Sequence, residues 1–199
     1  MIKESPARLY QEDPTHRMPR KFLSDGTYAE AIEGMIIVNT DVVIINRAHR
    51  SIFLANRTVY PMKGLWIIGG RRLPGETAVE SMHRCFKRET KLDIDPERFT
   101  YVRNNEYTWS TRKQAPENVG CHNKADTFLV ELTRDEVRLA STGLDPNEYE
   151  PGFGLKEYDR GGLVRAGAHE ALIDLYDSIF SRNEAVPVEQ EISRRAPGH

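Results

Sequence analysis

Residues 69–92, "GGRRLPGETAVESMHRCFKRETKL", decide the fold. A glycine pair opens the stretch, Glu76 follows Gly70 at a fixed interval, and Arg84 follows Glu76. Val79, Met82 and Phe86 recur at i, i+3 and i+7, the apolar stripe of a helix over 77–91. Thr77 caps that helix, with Glu80 three residues on as its capping-box partner. A glycine turn running into a capped helix reads as a phosphate-handling loop and helix. Its acidic end, however, carries Cys85 and Arg88 where a metal-holding helix would offer carboxylates.

On the N-terminal side, 35–47 ("MIIVNTDVVIINR") is rich in β-branched residues and predicts a strand. Residues 48–50 make a turn, and 51–57 return as the hairpin partner. After Pro61 and Gly64, "LWII" (65–68) is a short strand leading into Gly69 and Gly70. A short helix is expected over 27–33, closed by Gly34. Downstream, strands are expected at 99–109 and 124–133, then a short turn at 134–138. The loop 143–163 holds one short strand, and an amphipathic helix at 166–180 closes the domain. Strands with one internal and one terminal helix predict an α+β fold, a mixed β-sheet sandwiched between helices (α/β/α). The expected organisation is an extended arm over 1–22, one domain over 23–183 and a frayed tail over 184–199.

Composition narrows the function. The formal net charge is −2, without the basic excess of a nucleic-acid binder. No apolar run is long enough to span a bilayer, and the N-terminus has no apolar signal core. The two cysteines, Cys85 and Cys121, form neither a metal knuckle nor a disulfide framework, so a reducing cytoplasm is the expected compartment.

Gly70, Glu76, Arg84, Phe86, Glu89 and Leu92 resemble the Nudix box, a loop–helix–loop whose glutamate-rich helix end holds a divalent ion. The resemblance implies the Nudix fold over the domain, with the box at 70–92, and a hydrolase of diphosphate compounds. A hard cation, Mg²⁺ or alternatively Mn²⁺, neutralises the crowded oxygens of such a substrate. Here Cys85 follows Arg84 where a glutamate is usual, Arg88 precedes Glu89 in place of another, and Lys91 replaces the box glycine. Among the carboxylates of the metal face only Glu89 remains. Arg84 keeps a structural role, with Glu76 or Glu80 as its partner.

This set of departures is similar to the GDP-mannose mannosyl hydrolase branch of the superfamily, over about 22–155. "NTDVVIIN" carries Asp41, "NRTVYPMKGLW" carries Arg57, Arg71 follows the glycines, and the strand "CHNKADTFLVELTRDE" aligns without gaps. The resemblance implies a metal site of Gly70, Glu89 and Glu148. It implies that Arg57 and Arg71 grip the diphosphate and that Arg71 assists its departure. Water would then attack the sugar carbon rather than phosphorus. That branch places a glutamine and a histidine in a late loop. The matching stretch here is "DPNEYEPGFG", where Glu148 or Glu150 would serve as metal ligand or general base, with Tyr149 beside the substrate. Asp41 is a further catalytic candidate, and His122 matches a substrate-side histidine. Trp66 and Trp109 offer stacking faces, with Trp66 expected in the core. Arg88 either pairs outward with an acid such as Asp93 or faces phosphate as a cation in the metal's stead. The resemblance also implies a homodimer. The expected substrate is a nucleoside diphosphate sugar or related nucleotide conjugate. The competing function is a catalytically inactive nucleotide-binding or sensing module.

Overall fold

The computed structural model describes residue 7, residues 9–13 and residues 15–181. The expected tail at 184–199 lies outside the described residues, as do the first six residues of the expected arm.

Helix α1 spans Asp25–Gly34, capped by the Ser24 side chain. Strand β1 (Ile37–Asn46) turns through 47–50 into β2 (Ser51–Arg57). The expected single strand at 65–68 is two, β3 (Gly64–Trp66) and β4 (Ile68–Arg71). The chain changes partner between them: β3 pairs with β2 and β4 with β1. Helix α2 (Ala78–Thr90) follows with both halves of the Thr77–Glu80 capping box formed. Next come β5 (Thr100–Trp109) and β6 (Cys121–Glu131). The segment read as a short turn at 134–138 is a full helix, α3 (Arg134–Gly143), with its own capping box of Thr133 and Glu136. Val137 and Ala140 lie on its inner face against the core, and only Ala140 is buried. The chain closes with β7 (Lys156–Tyr158), α4 (Arg160–Arg165) and α5 (Glu170–Phe180). Helix α4 carries two glycines in "RGGLVR", which masked it in the sequence.

The strands form a mixed sheet ordered β3-β2-β1-β6-β5, with β4 on β1 and β7 on β2. Only the β1–β6 pair is parallel among these registers; the others are antiparallel. Val42 and Ile44 of β1 pack with Met82 and Phe86 of α2. Val43 and Ile45 face the other way, onto Leu172, Leu175 and Ile179 of α5. Layers on both faces explain why four consecutive apolar residues of β1 are all buried. Each large side chain taken fully out of water contributes about 1.5–3 kcal/mol. Phe86, edge-on to Phe99 at 5.3 Å between centroids, anchors α2 to the sheet.

Lys91, at the box glycine position, adopts φ +62°, a left-handed conformation that costs a side chain with a Cβ. Its Nζ donates back to the Arg88 carbonyl at 2.6 Å. Lys91→Gly relieves this and is expected to stabilise the protein by about 0.5–1 kcal/mol. Thermal denaturation at neutral pH checks it, and an unchanged or lower melting temperature would contradict it.

Candidate active site

Asp41 precedes the apolar run of β1 and lies inside the sheet, opposite Gly69 on β4 and Thr127 on β6. The missing side chain of Gly69 makes room for it: a Cβ there would stand 2.1 Å from Asp41 Oδ1. Only glycine lets β4 pass this carboxylate. Asp41 is buried, and desolvation pushes its pKa up to about 7, with the Arg57 guanidinium pulling the other way.

Asp41 lines a cleft of about 400 Å³ at one end of the sheet. Arg57, from the last residue of β2, and Glu148 line it together, 3.3 Å apart. Arg57 Nε is buried without a partner among the described residues. Arg71, at the end of β4, lies over the ring of Tyr28 at 4.6 Å. Gly69, Gly70 and Arg88 complete the polar end. The rest of the wall is aromatic. Tyr107 and Trp109 stack at 5.3 Å, and Trp66 meets both edge-on. Trp66 is buried in the core as expected, whereas Trp109 is partly exposed.

Helix α1 and the residues before it form one side of the cleft through Phe22, Leu23, Tyr28 and Ile32. A fully buried arginine fastens that helix. Arg112 donates to the Ala29 carbonyl at 3.3 Å and to Glu33 at 2.7 Å, and its Nε bonds Gln114 and Pro116 carbonyls. Sequence reading passed over Arg112 and Lys113 because they lie in an irregular segment with no periodicity, and over Tyr28 because nothing local shows which way α1 faces. They come to the cleft only through packing.

Of the two partners expected for Arg84, Glu76 is the one it meets. Arg84 Nε and Nη2 donate to the two Glu76 carboxylate oxygens at 2.6 and 2.9 Å. Nη2 also donates to the Arg71 carbonyl at 2.9 Å, and Glu76 accepts from the Leu73 N–H at 2.9 Å. The pair therefore clamps the turn 71–76 that presents Arg71. Glu80 is occupied by the helix cap and is not the partner. Burial alone would raise the Glu76 pKa; its bonds to Arg84 and Leu73 hold it below the ordinary value.

Glu89 is 2% exposed, and it is Arg88, not Glu89, that reaches the cleft. Arg88 Nε and Nη2 both contact Glu89 Oε1, at 2.7 and 2.5 Å, and the buried Oε2 has no hydrogen-bond partner among the described residues. Desolvation raises the Glu89 pKa against the pull of Arg88. The outward partner considered for Arg88, Asp93, is taken by Lys87 and His83 instead. Cys85 is buried under Gly70, and burial pushes its thiol pKa up, so it is a neutral filler rather than a thiolate ligand.

Three other expected site residues are placed away from the cleft lining. Tyr149 packs in the apolar core under α2, and burial drives its phenol pKa far upward. Glu150 is exposed and accepts from Asn56 on the opposite side of Tyr149. His122 sits beyond the cleft rim, 3.9 Å from Glu106. Tyr149 itself forms the bridge to Arg57, and its two neighbours find different partners: Glu148 meets Arg57 and Lys113 at the cleft, whereas Glu150 meets Asn56.

These donors fit a resident divalent ion poorly. Glu89 Oε2 is one suitable oxygen, but a guanidinium already covers its carboxylate. Among the described residues no three Asp, Glu, His or Cys side chains converge. Mg²⁺ prefers an octahedral shell of oxygens, and a second cation beside Arg88 meets direct repulsion.

No family model matches the sequence, and no curated protein matches it in sequence. Solved structures do match. A MutT NUDIX hydrolase from Burkholderia pseudomallei aligns at 18% identity with a TM-score of 0.55, over 73% of this chain and 98% of that one. The MutT protein of Methanosarcina mazei Go1 aligns at 14% identity and 0.52, over 75% and 96%. The Escherichia coli dihydroneopterin triphosphate pyrophosphohydrolase aligns at 17% identity and 0.50, over 75% and 99%. No helix among the described residues is long and apolar enough to cross a membrane. The chain therefore has the fold of the Nudix hydrolases.

Proposed function

We propose that this protein hydrolyses a nucleoside diphosphate conjugate, with a GDP-mannose-like nucleotide sugar as the expected substrate. One observation carries the reading: a single cleft joins a buried carboxyl group with pKa about 7, Asp41, to the cations Arg57 and Arg71 and to the aromatic face of Trp109. A diphosphate belongs at the arginine end, where planar guanidinium forks match its oxygens. A base stacks on the aromatic end. Between them, an acid that titrates near neutrality is suited to take a proton from water as it attacks. In attack at the sugar carbon, the water oxygen bonds to carbon 1 and the proton passes to Asp41. The carbon–oxygen bond to the diphosphate breaks, and Arg57 and Arg71 receive the charge left on it. The fold neighbour from Escherichia coli is by its name a pyrophosphohydrolase, which agrees with diphosphate chemistry.

The Mg²⁺ that the resemblance implies is an additive in the test, not a step in this reading. The purified protein, incubated with a panel of sugar nucleotides with and without Mg²⁺, is expected to release nucleoside diphosphate and free sugar from at least one of them. Nucleoside monophosphate with sugar phosphate would instead mean attack at phosphorus. If nothing on the panel is turned over while a nucleoside diphosphate still binds, the protein is the non-catalytic binding module. Arg88 lying across Glu89 is the observation favouring that second reading.

A further inference from the structure

We propose that Arg88 is the resident cation of the diphosphate site, so that a diphosphate binds this chain without a divalent ion. The proposal rests on the cleft being a nucleoside diphosphate site. It adds which charge receives the ligand.

The geometry is specific to this chain. Arg88 belongs to the last turn of α2, yet its side chain folds inward across the glycine pair. Its Nη2 stands 2.7 Å from where a Cβ of Gly70 would be. Any larger residue at Gly70 would displace the guanidinium. The side chain of Glu89 is 3% exposed and that of Arg88 is 49% exposed, so the carboxylate is the support and the guanidinium is the surface. Glu89 fixes Nε and Nη2 through a single oxygen. Nη1 makes no hydrogen bond among the described residues and is free to donate to a ligand. A guanidinium held on one edge and open on the other is preorganised for phosphate oxygens.

Charge around the cleft agrees. Apart from Arg112, which is buried on Glu33, the cationic groups on its lining are Arg57, Arg71, Arg88 and Lys113, against Asp41 and Glu148. Glu148 already shares Arg57 at 3.3 Å and Lys113 at 4.0 Å. A helix end rich in free carboxylates repels a diphosphate and needs a dication between them. Here the replacements Cys85 and Arg88 remove the repulsion and provide the cation, and the cleft is positive before any ion arrives.

Calorimetric titration of the full chain with GDP, and separately with inorganic pyrophosphate, in EDTA and in Mg²⁺ tests this. Wild-type affinity for either probe is expected to agree within about threefold between the two conditions. Arg88→Gln is expected to lose about tenfold or more in EDTA, the loss of one charge-assisted hydrogen bond to phosphate. Arg88→Glu, which puts a second carboxylate beside Glu89, is expected to bind only with Mg²⁺ and to bind Mn²⁺ by itself, read by electron paramagnetic resonance. Melting curves of both variants establish that they are folded. Wild-type binding that requires Mg²⁺, or Arg88→Gln binding in EDTA as tightly as wild type, would overturn the proposal. Metal-free binding of both probes without turnover leaves it standing and removes the hydrolase reading. Binding of pyrophosphate but not GDP leaves it standing and removes the nucleotide.

Discussion

Asp41→Asn is expected to stabilise the protein by about 4 kcal/mol at pH 8 and by almost nothing at pH 4. In the folded chain Asp41 holds its proton to about pH 7, against an ordinary value of 3.8. Between those values the folded state binds a proton that the unfolded state has lost, so stability falls as pH rises through the window and is level above it. Asparagine has no charge to desolvate and escapes that loss. Chemical denaturation of both proteins from pH 4 to 8 reads the difference directly. A gap that does not change with pH would show that Asp41 ionises normally. The same substitution removes the buried carboxyl group proposed to accept the proton of the attacking water, so turnover is expected to fall by about 10²–10⁴-fold. A more stable and less active variant is the pattern of a residue kept for chemistry at a cost to the fold.

The second large effect is structural. Arg84→Met is expected to cost about 3–5 kcal/mol at pH 7, because it leaves the Glu76 carboxylate buried without its main partner. Arg20, 3.7 Å away and half exposed, is too loosely placed to substitute. Glu76 ionises below its ordinary 4.5 in the folded state, so the stability it contributes is present above that value and is lost as pH falls through the lower folded one. The deficit of Arg84→Met should therefore shrink as pH falls, because the stranded buried carboxylate can then protonate. Urea titration at pH 7 and pH 4 checks both statements. A loss under about 1 kcal/mol, or one equal at the two pH values, would mean that the pair is not a clamp. Because Arg84 also holds the Arg71 carbonyl, this variant is expected to weaken GDP binding as well.

The two outcomes differ in how visible they were beforehand. The Glu76–Arg84 pair was legible because both residues sit on one short loop and helix, where local geometry dictates what can meet. The α2 stripe and the hairpin of β1 and β2 were legible for the same reason, since period and turn chemistry act over a few residues. Helix α4 was missed because its two glycines weaken its helical propensity; α3 was read only as a turn although its capping box, Thr133 and Glu136, stands in the sequence. Asp41 was placed on its strand by sequence, but nothing local revealed the desolvation that shifts its pKa; that depends on Gly69 and Thr127 arriving from two other strands.

The direction of Arg88 is the clearest separation. Its sequence context allowed an outward partner in Asp93 or an inward one at the ligand. Lys87 and His83, on the outer face of α2, take Asp93, while burial of Glu89 draws Arg88 inward. The sequence alone determined the box, its capped helix and the residues missing from its acidic end, because these are matters of spacing and residue type. Only the tertiary structure decided that a guanidinium faces the cleft and the carboxylate lies behind it, because desolvation and competition for partners depend on which elements pack together.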